Sequence, residues 1–423
     1  MDFIEELGWR NMLHNVTPGV SERLKAGMAR GYIGFDPTAP SMTIGNFVQI
    51  MLLKFFQLSG HQPIVLMGGA TGRIGDPSGK DKERELKSYE ELDANLAFQQ
   101  KQAEKFLDFD GKNKAIVVNN LDFYKEMNVL DFLRDVGKTL TVSYMMSKES
   151  VKNRLETGLS FTEFSYQLLQ AYDFQVLFSR HDCEIQMGGS DQWGNITSGT
   201  EFIRRNTDGK AYAITSPLLT KSDGKKFGKS EHGNIWLDPE MTSPYQFYQF
   251  WINADDSDVS TFMRYFSLKS RQEIEGLENE FAEDPRALKK ELAEELTIRV
   301  HSQEACESAQ EVSEILFNRN ASPESLLKMK EYSLATIGQE IPSFIIKRDL
   351  ISNGTGIIDL LVDHSSILNS KGEARRAIAN KAISVNKVKI DSLEKIVTVE
   401  DLLCERYMMI ENGKKNKFLI TFE

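Results

Sequence analysis

Arg30-Gly31-Tyr32-Ile33-Gly34-Phe35-Asp36-Pro37-Thr38-Ala39-Pro40-Ser41-Met42-Thr43-Ile44-Gly45-Asn46 reads as the joint between a strand and a helix. Tyr32, Ile33 and Phe35 suit a buried strand. The two prolines, with Asp36, Thr38 and Ser41, make a turn-rich loop. A helix is expected over about 45–58, stopped by Ser59-Gly60. Further apolar runs at 63–67, 115–118 and 184–187 suit buried strands, and helices are expected over about 84–107, 122–137 and 161–179. This alternation predicts an α/β domain built on a parallel sheet.

In such a sheet ligands bind beyond the carboxyl ends of the strands, where the loop at 34–46 lies. A helix N-terminus there offers free N–H groups and a positive dipole end to phosphates. Gly45 allows a flat base to approach the backbone. Taken alone, the segment is equally a turn rich in helix-breaking residues. A second candidate is Lys221-Ser222-Asp223-Gly224-Lys225-Lys226-Phe227-Gly228-Lys229-Ser230. A lysine run is ordinarily a solvated surface; here it can also neutralise a triphosphate whose charge grows in the transition state. Neither is a P-loop. Gly75-Asp76-Pro77-Ser78-Gly79-Lys80 has the wrong spacing and is followed by Asp81 rather than Ser or Thr, and Gly68-Gly69-Ala70-Thr71-Gly72 misses the dinucleotide fingerprint.

On the helix expected at 161–179, Tyr166, Gln170 and Asp173 fall at i, i+4 and i+7 and share a face. They could form a polar outer face. Phe164, Leu168, Leu169 and Ala171 make the helix apolar nearly all round, which favours burial, and buried polar groups need partners.

The chain has 423 residues, enough for two or three domains. No uncharged apolar window long enough for a membrane helix exists, and the acidic start Met1-Asp2-Phe3-Ile4-Glu5-Glu6 is unlike a secretory signal. Cys183, Cys306 and Cys404 are far apart and odd in number, so a reducing cytoplasm is expected and no disulfide framework or zinc site. The six histidines show no metal-ligand spacing. Net charge is −11, yet the segment 343–423 carries 13 Lys and Arg against 11 Asp and Glu, leaving −13 on the rest. An acidic body with a mildly basic tail can still bind RNA locally. Three domains are expected: catalytic α/β at 1–240, α-helical at 241–325, and a small α+β tail at 343–423 after a linker around 318–342.

Thr43-Ile44-Gly45-Asn46 resembles the HIGH signature of class I aminoacyl-tRNA synthetases, and Lys226-Phe227-Gly228-Lys229-Ser230 resembles their KMSKS signature. The stretches 32–38, 68–80 and 186–195 are similar to bacterial-type tyrosyl-tRNA synthetases, and the likeness covers nearly the whole chain. The fold it implies has a Rossmann-like catalytic domain. The activity it implies is attack of the tyrosine carboxylate on the α-phosphate of ATP, then transfer of tyrosine from the adenylate to the terminal ribose of tRNA(Tyr). No enzyme nucleophile is needed, so catalysis is positioning and charge stabilisation.

By this resemblance Tyr32 and Asp173 would hold the tyrosine phenol. Tyr166, Gln170 and Asp76 would hold its ammonium group, with Gln186 and Gln192 supporting the amino acid. Gly34, Asp36, Gly45, Gly189, Asp191 and Gln192 would meet ATP and the adenylate. Thr38, Thr43, Asn46, Lys226 and Lys229 would act on the phosphates, and Lys80 and Arg84 would close over them. Thr43 replaces the first His of the signature; its hydroxyl is shorter and uncharged but still a donor. ATP is expected as substrate, with Mg²⁺ accompanying it and no protein cage for the metal. The tail resembles a small RNA-binding domain shared with a ribosomal protein, with Lys371, Arg375 and Arg376 facing phosphates, and a homodimer is implied. The competing readings are a tryptophan-specific relative, a nucleotidyltransferase of the same superfamily, and a non-catalytic RNA-binding relative.

Overall fold

The computed structural model describes residues 1–78, 87–155, 158–224, 227–230, 233–318 and 321–423. The chain divides into two compact units, one of Met1–Thr242 with Asn253–Leu292, the other of Ser243–Ile252 with Ala293–Glu423.

The first unit is built on strands β1 (Asn15–Val16), β2 (Arg30–Phe35), β3 (Gln62–Met67), β4 (Ile116–Asn119), β5 (Cys183–Gly189) and β6 (Tyr212–Ser216). Among the described residues they form one sheet in the order β1-β6-β5-β2-β3-β4. Five strands run parallel and β1 is an antiparallel edge. All six residues of β3 are buried, as expected for a strand covered on both faces. The parallel α/β expectation therefore holds. The chain steps outward from β2 through β3 to β4, then returns to β5 on the other side of β2. That reversal opens a crevice between the carboxyl ends of β2 and β5.

Three helices frame it: α1 (Ile44–Leu58), α2 (Phe161–His181) and α3 (Trp193–Asn206). α1 begins with a reciprocal cap: Thr43 Oγ1 accepts from the Asn46 N–H while Asn46 Oδ1 accepts from the Thr43 N–H at 2.9 Å. α2 starts at Ser160, whose hydroxyl accepts from the Glu163 N–H, and buries Tyr166, Leu168, Ala171, Asp173 and Phe174.

The sequence reading and the structure differ in several places. The helix expected over 122–137 is broken into a 3₁₀ turn at Asn120–Phe123, a short helix at Val129–Asp131 and a π-helical turn at Phe132–Val136. The Asn128 side chain accepts from the Leu130 and Asp131 N–H groups, so it caps a fresh start there. Residues 318–342, read as a linker, contain helices at Pro323–Leu327 and Glu331–Glu340. The first opens on the Ser322 cap with Pro323 behind it, too short to show a period. β6, β1 and α3 were not anticipated. The helix expected to begin near Arg84 is described from Tyr89 to Glu104, capped by Ser88; Arg84 itself lies outside the described residues.

Two further short strands, β7 (Lys229–Ser230) and β8 (Gly233–Asn234), pair antiparallel within the first unit. The second unit contains helices α4 (Pro244–Ile252), α5 (Gln303–Phe317) and α6 (Lys371–Ala379). Its sheet has strands β9 (Ser343–Ile346), β10 (Ile383–Val385), β11 (Val388–Lys389), β12 (Tyr407–Asn412) and β13 (Asn416–Phe422), in the order β11-β10-β12-β13-β9. Ile351, Ile357, Leu360, Leu361, Ile378, Met408 and Ile420 give this α+β segment a core of its own. Lys387 and Lys417 donate to the Ile315 carbonyl at 3.1 and 2.7 Å, two cations at the negative end of α5.

Candidate active site

The crevice at the strand reversal is a cleft of about 520 Å³. Its walls bring together Tyr32, Gly34, Asp36, Thr38, Gly45, Asn46, Asp76, Tyr166, Gln170, Asp173, Gln186, Gly189, Asp191 and Gln192, residues taken from five separate stretches of chain.

Each wall has a local cause. Asp36 follows the last residue of β2. Its Oδ1 accepts from Thr71 Oγ1 at 2.6 Å and its Oδ2 from the Tyr166 hydroxyl at 2.9 Å. A Cβ on Gly68 would lie 2.1 Å from Asp36 Oδ1 and 3.1 Å from its Cα, so only glycine fits behind that carboxylate. Asp76 accepts from Gln192 Nε2 at 2.6 Å and from the Ser78 N–H at 2.9 Å. Asp173, one turn beyond Gln170 and two beyond Tyr166 on α2, accepts from the Tyr124 hydroxyl at 2.7 Å and from Asn120 Nδ2 at 2.8 Å. Gln186 projects from β5, and Asp191 and Gln192 sit in the turn that follows it.

Four buried polar atoms on residues lining this cleft have no partner: the Tyr32 hydroxyl, Gln49 Oε1, Gln170 Oε1 and Gln186 Oε1. Groups buried in that state cost about 1–3 kcal/mol each unless a ligand completes them. The electrostatics point the same way. Burial pushes Asp173 up to about 7, opposed by the Tyr124 and Asn120 hydrogen bonds and reinforced by the charge of Asp36. Burial, then the neighbouring Asp76, raises Asp191. Burial also lifts the phenols of Tyr32 and Tyr166 well above their ordinary value, so both remain protonated donors. The described lining residues include four aspartates and no Lys or Arg, which suits an ammonium group and hydroxyls rather than phosphates at this end.

The two signature stretches meet at the start of α1. Gly228 has φ +88°, and a Cβ there would lie 2.9 Å from Ile44 Cγ2 and 3.5 Å from the Gly45 nitrogen. The Ile235 N–H donates to the Gly228 carbonyl at 3.0 Å, and the Ile44 N–H donates to the Ile235 carbonyl at 2.9 Å. Phe227 anchors the segment, stacked on Phe266 with ring centroids 5.4 Å apart. The two stretches 183 residues apart in sequence numbering, Gly45 and Gly228, are thus in contact. Thr43 does not join the cleft wall; its hydroxyl donates to Asn46 Oδ1 at 2.8 Å within the helix cap. Lys80, Arg84 and Lys226 lie outside the described residues, and Lys229 is described only by its backbone in β7.

In the second unit Arg375 and Arg376 are exposed on α6, while Lys371 pairs with Asp359 at 2.6 Å and Asp363 at 2.7 Å. Sequence reasoning missed Asn120, Tyr124 and Thr71. The usable signal was the polar pair Asn119-Asn120 at the end of β4, at the carboxyl edge where ligands bind.

Comparison with known proteins agrees with this geometry. The family model described as class I tRNA synthetases (W and Y) matches residues 25–318, which defines the class: an aminoacyl-tRNA synthetase of the tryptophan and tyrosine branch. A second model, for the tyrosine–tRNA ligase C-terminal domain, matches residues 334–420. The chain is 54% identical to the tyrosine–tRNA ligase of Cytophaga hutchinsonii, over 100% of this chain and 99% of the other. It is 50% identical to that of Bacteroides fragilis, over 99% of each. Among solved structures, a C-terminally truncated mitochondrial tyrosyl-tRNA synthetase of Aspergillus nidulans superposes with a TM-score of 0.67 at 31% identity, covering 75% of this chain and 94% of that one. The chain belongs to the tyrosine–tRNA ligases: it activates tyrosine with ATP, releases pyrophosphate, and loads tyrosine onto tRNA. The tryptophan-specific, metabolite-adenylylating and non-catalytic readings fall away. Among the described residues no helix is long and apolar enough to cross a membrane.

Proposed function

We propose that the cleft between β2 and β5 holds tyrosine with its phenol at Tyr32 and Asp173 and its ammonium group at Tyr166, Gln170 and Asp76. The observation that carries this reading is that three of the four partnerless buried atoms lining the cleft, on Tyr32, Gln170 and Gln186, face one space beside ionisable carboxylates. Gln186 and Gln192 flank the carboxylate, and Gly189, Asp191, Gly34 and Gly45 border the ribose and adenine. Asp36 acts by holding Tyr166 and Thr71. Thr38, Asn46, Lys226 and Lys229 receive the phosphates at the N-terminus of α1, and Lys80 and Arg84 act on the same phosphates; Thr43 contributes by capping that helix. ATP is the co-substrate. Mg²⁺ travels with its phosphates.

The chemistry is then in-line displacement at the α-phosphate by a carboxylate the substrate brings, with the lysines stabilising charge as pyrophosphate leaves. The division of labour is catalysis in residues 1–240 and tRNA binding in the tail, where Arg375 and Arg376 meet phosphates. A homodimer fits the exposed apolar side chains of Val129, Leu130, Leu133, Val142, Met146 and Phe161, a concentration that ordinarily marks a protein interface. A cytoplasmic setting fits three cysteines that are all free. The test is Tyr32→Phe in amino-acid-dependent pyrophosphate exchange. The ratio of kcat/KM for tyrosine over phenylalanine should fall about tenfold; an unchanged ratio removes Tyr32 from the phenol end.

A further inference from the structure

Tyr124 has no place in the reading above, yet it touches the residue on which tyrosine recognition turns. Its ring packs on Tyr172 and Phe132, with centroids 5.7 and 6.5 Å away. Its hydroxyl oxygen lies 2.7 Å from Asp173 Oδ1 and 3.1 Å from the Leu169 carbonyl. A phenol has one proton to give. Leu169 stands four residues before Asp173 on α2, so its carbonyl already serves the helix ladder. An ionised carboxylate is the stronger acceptor, and the proton goes to Asp173. On the other oxygen, Oδ2, Asn120 Nδ2 donates at 2.8 Å. Asn120 is itself fixed, since its Oδ1 accepts from the Ala70 N–H at 2.7 Å.

Each carboxylate oxygen therefore carries one fixed donor, and rotation of the group is locked. The remaining lone pairs are available to the cleft, close to the partnerless Tyr32 hydroxyl. The charge of Asp36, at the end of β2, disfavours ionisation of Asp173. The other titratable groups that face it are phenols: Tyr32 on β2, Tyr124 after β4, and Tyr166 and Tyr172 on α2. The buried Cys183 thiol lies behind Tyr32. None of these is a cation. The ionised form is held by neutral donors alone, and Tyr124 is one of two.

We propose that Tyr124 is a positioning residue that sets amino-acid specificity: by donating to Asp173 Oδ1 it keeps that carboxylate ionised and turned toward the para hydroxyl of the substrate. This rests on the reading of Asp173 and Tyr32 as the phenol end of the pocket. Removal of the Tyr124 hydroxyl leaves the ring and its packing in place while Asp173 loses one donor and gains rotational freedom. Tyrosine then loses an oriented acceptor, whereas phenylalanine, which makes no such bond, is indifferent.

The test measures kcat/KM for tyrosine and for phenylalanine in pyrophosphate exchange from pH 5.5 to 9, with the parent chain, Tyr124→Phe and Asp173→Asn. For Tyr124→Phe the tyrosine value should fall about tenfold at pH 7, through KM, with the phenylalanine value nearly unchanged. The acidic limb of the tyrosine profile should move up by about one pH unit, since one lost hydrogen bond to the ionised form is worth about that much. Tyr124→Leu, which also lacks the hydroxyl, must show the same displaced limb, so the result does not hang on one variant. A purely structural role would lower both substrates together and leave the limb in place. The proposal is overturned if Asp173→Asn abolishes the preference while Tyr124→Phe and Tyr124→Leu keep both preference and limb. If Asp173→Asn keeps the preference, the phenol-end reading falls first and this one with it.

Discussion

The Tyr166 hydroxyl donates to Asp36 Oδ2 across 2.9 Å, tying the buried helix α2 to the carboxyl end of the central strand. With its proton committed to Asp36, the Tyr166 oxygen is left as an acceptor facing the cleft, the polarity an ammonium group requires. The same carboxylate accepts a second hydrogen bond, from the Thr71 hydroxyl, so Asp36 organises two walls at once.

Tyr166→Phe should therefore raise KM for tyrosine about tenfold, from loss of one hydrogen bond to a charged group, and leave KM for ATP nearly unchanged. Steady-state pyrophosphate exchange with each substrate varied separately measures it. An equal rise in both constants would assign Tyr166 to the general shape of the cleft rather than to the ammonium group.

Asp173 links stability to pH in an unusual direction. Burial raises it from 3.8 in the unfolded chain to about 7 in the folded one. A raised carboxyl stabilises the folded chain below about pH 4, and that contribution is lost as pH rises to about 7. Asp173→Asn removes the dependence. The variant should therefore gain stability relative to the parent between pH 4 and 7, by up to about 1.4 kcal/mol per pH unit, while losing its preference for tyrosine. The check is the difference in melting temperature between the two proteins at pH 4.5, 6 and 8. A difference that does not grow with pH means that Asp173 is not held in a costly ionised state.

The contact of Gly228 with Ile44 and Gly45 makes the lysine segment part of the helix N-terminus. Gly228→Ala adds both a left-handed backbone penalty and a 2.9 Å contact, together about 1–3 kcal/mol of strain. It should slow adenylate formation about 10- to 100-fold in single-turnover measurements. Lys229→Ala should cut the same rate by about 10²–10³ with a smaller effect on ATP binding. A normal rate with weakened ATP affinity, in either variant, would make the segment a ground-state clamp.

The tail carries its own core and its own exposed cations. A chain ending near Ile341 should keep tyrosine-dependent pyrophosphate exchange and lose most tRNA charging. Arg375→Ala with Arg376→Ala should give a milder defect and a shallower salt dependence of tRNA binding, about one unit of slope per contact. Lys371, paired with Asp359 and Asp363, should matter less than either arginine. Filter binding at several salt concentrations separates these outcomes, and full charging by a folded truncated chain would contradict the modular account.

Much of this was legible in the sequence because the signals were local. The run Arg30–Phe35 reproduces β2 residue for residue, and the i, i+4, i+7 spacing of Tyr166, Gln170 and Asp173 does bring all three to one cleft. What escaped was set by tertiary partners. Nothing in the residues around Asn120 and Tyr124 announces that they will grip Asp173, since that bond spans 49 to 53 positions. Thr43, placed among the phosphate donors by its position in a signature, is occupied by the helix cap that Asn46 completes. Lys387 and Lys417, counted toward a basic RNA-binding tail, are turned inward onto the Ile315 carbonyl.

The most direct measurement of the central claim is a crystal structure of this chain with L-tyrosine bound. The phenol oxygen should lie within about 3.2 Å of both the Tyr32 hydroxyl and an Asp173 carboxylate oxygen, with the ammonium nitrogen equally near Tyr166, Gln170 or Asp76. Tyrosine bound in the reverse orientation, or bound with the Tyr32 hydroxyl and Asp173 left untouched, would contradict it.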